Sequence, residues 1–124
     1  MKYICLVYHA ESALHDLSPA EAVKLDADSL AYDRKLEAQG HLVVAEALES
    51  VRKARTVRKR AGKVLVSDGP FAETKEQLLG FVMIEASDMD AAVAIAADIP
   101  LSAMGMVEVR AIYDIPAPDQ KVTA

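Results

Sequence analysis

Among its 124 residues the chain has no tryptophan, two phenylalanines and one cysteine. A lone thiol, Cys5, excludes a disulfide framework and a cysteine-based zinc site. Aromatic residues make up only 5%, so any core must be largely aliphatic. Long apolar runs are also missing. Nothing approaches the roughly 18 continuous apolar residues of a spanning helix. The run after Lys2 is too short for a signal-peptide core and is broken by His9 and Glu11. There is no basic excess either: the net charge is −5 and the pI near 5.1, which argues against general affinity for nucleic acid. No phosphate-cradling glycine loop, dinucleotide fingerprint or Ser/His/Asp order is present. A cytoplasmic domain with no membrane or nucleic-acid partner is the expectation.

What is present is enough for one ordinary domain. Hydrophobic residues reach 52%, although 22 of them are alanines, so the bulkier apolar residues must be placed economically. Charged residues at 27% and a mean hydropathy of +0.13 exclude a disordered chain.

Residues 2–9 read as a strand rich in Tyr, Ile, Val and Leu. Ser18-Pro19-Ala20-Glu21 then starts a helix: Ser as N-cap, Pro at N1 and Glu at N3 form a capping box. This helix is expected to reach Gln39, with Gly40 as its left-handed terminator. Residues 41–48 are a second strand. Residues 56–60 and 63–67 form a hairpin around Ala61-Gly62, and Asp68-Gly69-Pro70-Phe71 is a turn. A strand over 80–86, a helix over 87–98 and a strand over 106–115 follow, with 116–124 as a tail beyond a single domain of residues 1–115. The order β-α-β, hairpin, β-α-β is α+β and ferredoxin-like: an antiparallel sheet with two helices on one face plus an extra β-hairpin.

Both faces of that sheet are apolar. Tyr3, Cys5 and Val7 alternate with Ile4, Leu6 and Tyr8, as Val82 and Ile84 alternate with Phe81 and Met83. Helices cover one face only, so a second subunit in a symmetric homodimer is expected over the other. On the first helix Val23, Ala27, Leu30 and Ala31 form one stripe and Leu25, Tyr32 and Leu36 another. Met89, Ala92, Val93, Ala96 and Ile99 make a single core stripe on the second.

The most unusual stretch is residues 67–76, where a carboxylate, Gly-Pro, an aromatic and alternating charges sit between strands. As a site loop, Asp68 is a general acid or base, Glu73 and Lys75 are its polar partners, and Phe71 shapes a pocket. As a structural turn, Asp68 accepts backbone N–H bonds and Phe71 plugs the core. His9, His15 and His41 lack metal-ligand spacing, so no metal is expected; His9, at a strand end, is the one histidine placed to meet a ligand. Asp26, Asp33 and Glu37 share an edge of the first helix, read as a solvated acidic edge ahead of an acid/base pair. Seven of the 14 basic residues fall within 52–63 with no acidic residue among them, leaving −12 (−5 minus +7) for the rest. That hairpin can attract an anion or an acidic partner, or simply deter edge pairing.

At residues 64–75, VLVSDGPFAETK, the chain resembles the DGPF-type branch of the YCII-related proteins. So do the Met1-Lys2-Tyr3 start, Ser18-Pro19, Gly40, Glu76-Gln77-Leu78 and Val107-Glu108-Val109-Arg110, over about residues 1–115. The resemblance implies a dimeric α/β barrel of two packed sheets, with a cavity between helix, sheet and partner taken as the active site. It also implies association with an extracytoplasmic-function sigma factor. The wider family's His–Asp pair places its histidine near Ser29, and the first helix here has none, so the dyad does not carry over.

The expectation is thus a cytoplasmic homodimer with a polar pocket near Asp68-Gly69-Pro70-Phe71, acting on or binding a small organic molecule without a cofactor. Asp68 would move a proton, Lys75 hold an anionic group, and Tyr32 or His9 line the pocket. A non-catalytic regulatory module bound to a sigma factor is the alternative.

Overall fold

The computed structural model describes residues 1–118; of the expected tail, residues 119–124 lie outside the described residues. Strand β1 (Lys2–His9) leads into a short helix α1 (Glu11–His15) and the long helix α2 (Pro19–Ala38). Strand β2 (Leu42–Ala47), the hairpin β3 (Arg55–Arg60) and β4 (Lys63–Asp68), and strand β5 (Gln77–Glu85) follow. Helix α3 (Met89–Ala97), a 3-10 turn at Pro100–Ala103 and strand β6 (Met106–Ala111) complete the domain. β2, β5, β1 and β6 lie in that order in one antiparallel sheet, while β3 and β4 pair only with each other. This mixed α+β arrangement is compatible with the ferredoxin-like plan. The chain's own strands form an open sheet, and among the described residues no barrel closes. No described helix is long and apolar enough to cross a membrane.

Local chemistry accounts for the boundaries of α2. The Glu21 N–H donates to Ser18 Oγ at 3.1 Å and the Ser18 N–H donates to Glu21 Oε1 at 2.9 Å, so the capping box satisfies donors at both positions. At the other end Gly40 has φ 77°, and the N–H groups of His41 and Gly40 return to the carbonyls of Leu36 and Glu37. That 6→1 and 5→2 pair is a Schellman stop. The hairpin turns on Ala61 (φ 50°) and Gly62 (φ 77°), two left-handed residues whose twist matches the flanking strands.

Alternation along the central strands builds the core. Tyr3, Cys5 and Val7 face Val82 and Ile84 across the β1–β5 ladder, all buried beneath Leu36 of α2 and Ala92 and Ala96 of α3. Of the two α2 stripes, Leu25, Tyr32 and Leu36 face inward, whereas Val23 and Leu30 are exposed. On α3 the expected single stripe divides: Ala92, Ala96 and Ile99 are buried, while Met89 and Val93 stay exposed. The opposite sheet face carries Ile4, Leu6, Tyr8, Phe81 and Met83, each half-buried in the single chain.

Several boundaries depart from the sequence reading for identifiable reasons. α1 occupies a stretch read as loop; it has no side-chain N-cap and is held instead by the Glu11 N–H donating to Gln77 Oε1 at 2.9 Å. β5 begins at Gln77 rather than residue 80, because backbone pairing with Tyr8 and His9 continues past a bulge between Val7 and Tyr8. Asp68 ends β4 instead of opening the turn, and β6 stops at Ala111. Gly80 is required by close approach: a Cβ there would lie 2.6 Å from the Glu46 carbonyl oxygen.

Candidate functional site

A cleft of about 550 Å³ opens between α2 and the helix-side face of the sheet. Leu14 of α1, Leu25 of α2, Val7 of β1, Ala45 of β2, Val82 of β5 and Leu101 supply its apolar wall. The volume falls in the range of pockets that enclose small organic molecules. Most of its polar groups sit on α2, where Asp26, Ser29 and Asp33 follow one another at three- and four-residue steps along one edge, beside Tyr32; Glu46 of β2 adds a further carboxylate. No Lys, Arg or His is among the residues that line it.

The electrostatics of these groups follow from burial without a cation nearby. Desolvation raises the Asp33 carboxyl above its ordinary value, so its proton is held more tightly than that of a surface carboxylate. Burial, with smaller contributions from Asp98 and Cys5, pushes the Tyr32 hydroxyl up to about 12. That hydroxyl donates to the Ile95 carbonyl at 2.6 Å and ties α2 to α3. Cys5, fully enclosed, is pushed up to about 11 and stays a neutral thiol at physiological pH.

Of the residues singled out in the sequence, Tyr32 borders the cleft, and so do Asp26 and Asp33 of the acidic edge; Glu37 does not. Asp68, Phe71, Glu73 and Lys75 lie elsewhere, on an exposed path from β4 to β5. The Asp68 carboxylate is 3.6 Å from Arg55 Nε, its partner across the hairpin, and 93% of its side chain faces solvent. Phe71 is 81% exposed and plugs no core. The loop backbone is nonetheless pinned: the Gly69 N–H donates to the Ala54 carbonyl and the Thr56 hydroxyl to the Gly69 carbonyl. His9 closes β1 opposite Gln77 and packs where a side chain on Gly105 would collide with it. His41 Nδ1 meets the Glu85 carbonyl at 2.9 Å, a sheet-edge contact. Among the described residues no group of three or more His, Cys, Asp or Glu is arranged to hold a metal ion.

Two positions at or beside the cleft were not among the site residues expected from the sequence. Ser29 lies four residues before Asp33 and seven before the buried Leu36, a spacing that puts it beside the inward stripe. Glu11 had no sequence signal. Its carboxylate accepts the Val51 N–H and the Ser50 hydroxyl, both at 2.8 Å, and these bonds hold it below the usual carboxylate range. It thereby fastens the start of the hairpin segment to α1, next to the cleft wall contributed by Leu14.

The family profile of the YCII-related domain matches residues 1–116. An uncharacterized protein of Rhizobium meliloti (strain 1021) is 39% identical over 112 residues, which cover 89% of this chain and 90% of that protein. With the family profile spanning nearly the whole chain and this relative matched along almost all its length, the chain belongs to the YCII-related family.

Proposed function

We propose that this protein binds a small organic molecule in the cleft between α2 and the sheet and carries out acid–base chemistry on it as a homodimer. One observation carries the reading: a mostly apolar cleft of ligand size has a polar edge on α2, on which Asp33 is partly desolvated. A carboxyl whose proton is favoured by burial holds and returns that proton more readily than a solvated one. Asp33 is the proton-transfer group in this reading, with Ser29 and Asp26 as hydrogen-bonding neighbours for the ligand. The half-buried apolar outer face of the sheet supports the homodimer, since helices cover only the other side. Asp68, Phe71, Glu73 and Lys75 enter the site only if a second copy brings them over the cleft, because in the single chain they face solvent.

A thermal-shift screen of small amines, phenols and organic acids tests this, with wild type, Asp33→Asn and Asp68→Asn run together. A ligand at a hundredfold above its dissociation constant adds about 2.7 kcal/mol of stability. The expected result is a shift in wild type that Asp33→Asn abolishes. An equal shift in wild type and Asp33→Asn places the ligand elsewhere and overturns the reading.

A further inference from the structure

Three apolar residues of the cleft come from segments that converge on one side chain: Leu14 of α1, Leu48 just past β2 and Leu79 of β5. Leu48 and Leu79 are already joined, since the Leu48 N–H donates to the Leu79 carbonyl at 2.8 Å. Leu14 is joined to neither by its backbone. It sits on a helix of five residues with no side-chain N-cap and no buried side chain. A helix that short does not hold itself together in water. Among the described residues, every hydrogen bond from α1 to a distant part of the fold is made by its first residue, Glu11.

Glu11 uses backbone and side chain together. Its N–H donates to Gln77 Oε1 at 2.9 Å, while its carboxylate accepts the Ser50 hydroxyl and the Val51 N–H, both at 2.8 Å. Gln77 is oriented in turn by the segment before it. Its Nε2 donates to the Thr74 carbonyl at 2.6 Å, and the Thr74 hydroxyl donates to the Glu76 carbonyl. A side-chain amide carries a donor and an acceptor at its two tips, so Gln77 serves both bonds; a glutamate there would have no donor for Thr74. The Gln77 backbone is itself fixed opposite His9 in the β1–β5 ladder. A line of bonds thus runs from the loop through Gln77 and Glu11 to Ser50 and Val51, and α1 is its one loosely held member.

We propose that α1 is a gate to the cleft, and that Glu11 and Gln77 are positioning residues that hold it closed against Ser50 and Val51. The inference rests on the cleft being the site, and it adds how a molecule enters and what the end of the 67–77 segment does there. Opening breaks the three Glu11 bonds and no core contact, because nothing on α1 is buried. Nor does it unwind the neighbouring elements. β1 ends at His9 before the gate, and α2 starts afresh at its own capping box on Ser18 after it. Thr74 and Gln77 act as the fixed post, a mechanical role that leaves the exposed Asp68 and Phe71 aside.

Thiol modification by iodoacetamide tests this without a ligand. Val7→Cys puts a thiol on the cleft wall at a position only 5% exposed, and the fully enclosed Cys5 serves as an internal reference for opening of the core. The proposal expects the introduced thiol to react faster than Cys5, at a rate that low urea hardly changes, as local opening exposes little surface. Glu11→Ala and Gln77→Glu are each expected to raise that rate by about tenfold, the scale of losing hydrogen bonds to a charged or buried partner, and Glu11→Gln by less. Leu36→Ala, which weakens the core, is expected to speed Cys5 and leave the introduced thiol as it was. Should Val7→Cys not fold, amide exchange at Ala13, Asp16 and Leu17 reads the same opening in its absence: faster in Glu11→Ala, unchanged in Leu36→Ala. A cleft thiol that reacts only at the Cys5 rate, or whose rate Glu11→Ala leaves alone, overturns the gate; so does α1 exchange that follows core stability. A failed ligand screen with the gating present would sink the small-molecule reading and leave the gate standing.

Discussion

The body and the arm of this molecule use similar residues to opposite effect. In the body, Val, Leu and Ile alternate with polar residues, and each apolar side chain on the inner face finds α2 or α3 above it; Ile84 and Cys5 are fully enclosed. In the arm, Val57, Val64, Leu65 and Val66 occupy a hairpin of equally regular backbone pairing and remain exposed. Regular hydrogen bonding is therefore not what separates the two. Burial is, and it supplies most of the free energy that opposes chain entropy. A hairpin that keeps its strands without burial is either temporary or waiting for a surface.

The contrast breaks most sharply by cutting one core residue. Leu36→Ala removes the fully buried side chain that α2 lays on the sheet, and should lower unfolding free energy by about 2–5 kcal/mol in a urea titration. Glu11→Gln acts at the joint between the two regions. It loses the charge on two hydrogen bonds at a partly exposed site, a cost of about 1 kcal/mol. Because the Glu11 carboxyl is held below its ordinary value, its contribution is present above the usual glutamate range and is lost as pH falls through the lowered value. The wild type and variant melts should therefore converge in acid.

Asp33→Asn sharpens the account of the cleft. The Asp33 carboxyl is raised, so its favourable contribution is fully present below the ordinary aspartate range and is lost as pH rises through the raised value. Replacing it should raise stability at neutral pH by on the order of a few tenths of a kcal/mol, after allowing for the solvent that screens it, with no gain in acid. A variant that is more stable yet unable to bind ligand is the signature of a site residue. Smallest of all in dilute protein is Val66→Ser, expected to stay within about 0.5 kcal/mol of wild type because the side chain contacts little. At high concentration the same change should cost measurably more.

How far the sequence carried the fold depends on how local each signal is. The capping box at Ser18, the Gly40 stop and the Ala61-Gly62 turn are contained within a few residues, and each is where the pattern put it. α1 is different: its stability comes from Gln77, sixty-six residues away, and no nearby residue announces it. The division of the α3 stripe has the same origin. Met89 and Val93 have core-like periodicity, but the sheet beneath α3 ends at β6 and leaves them uncovered.

The site shows this limit more clearly. Asp26 and Asp33 read as a solvated edge because carboxylates on a helix usually are, and only the sheet edge opposite shows that they border a cleft. The 68–75 loop stands out in composition, and in one chain every residue of it but Gly69 is exposed. What a loop faces depends on which surfaces come together, and no single-chain pattern encodes a surface that another molecule would supply.

Amide hydrogen exchange at two protein concentrations tests the central claim directly, since arm and body are read in one experiment. Self-association that seats the arm predicts protection of residues 55–68 that rises with concentration and falls with salt, while β1 and β5 exchange at the same slow rate throughout. Arm protection that is high and independent of concentration would contradict the account, because the hairpin would then stand by itself. Protection that stays absent at every concentration would contradict it equally.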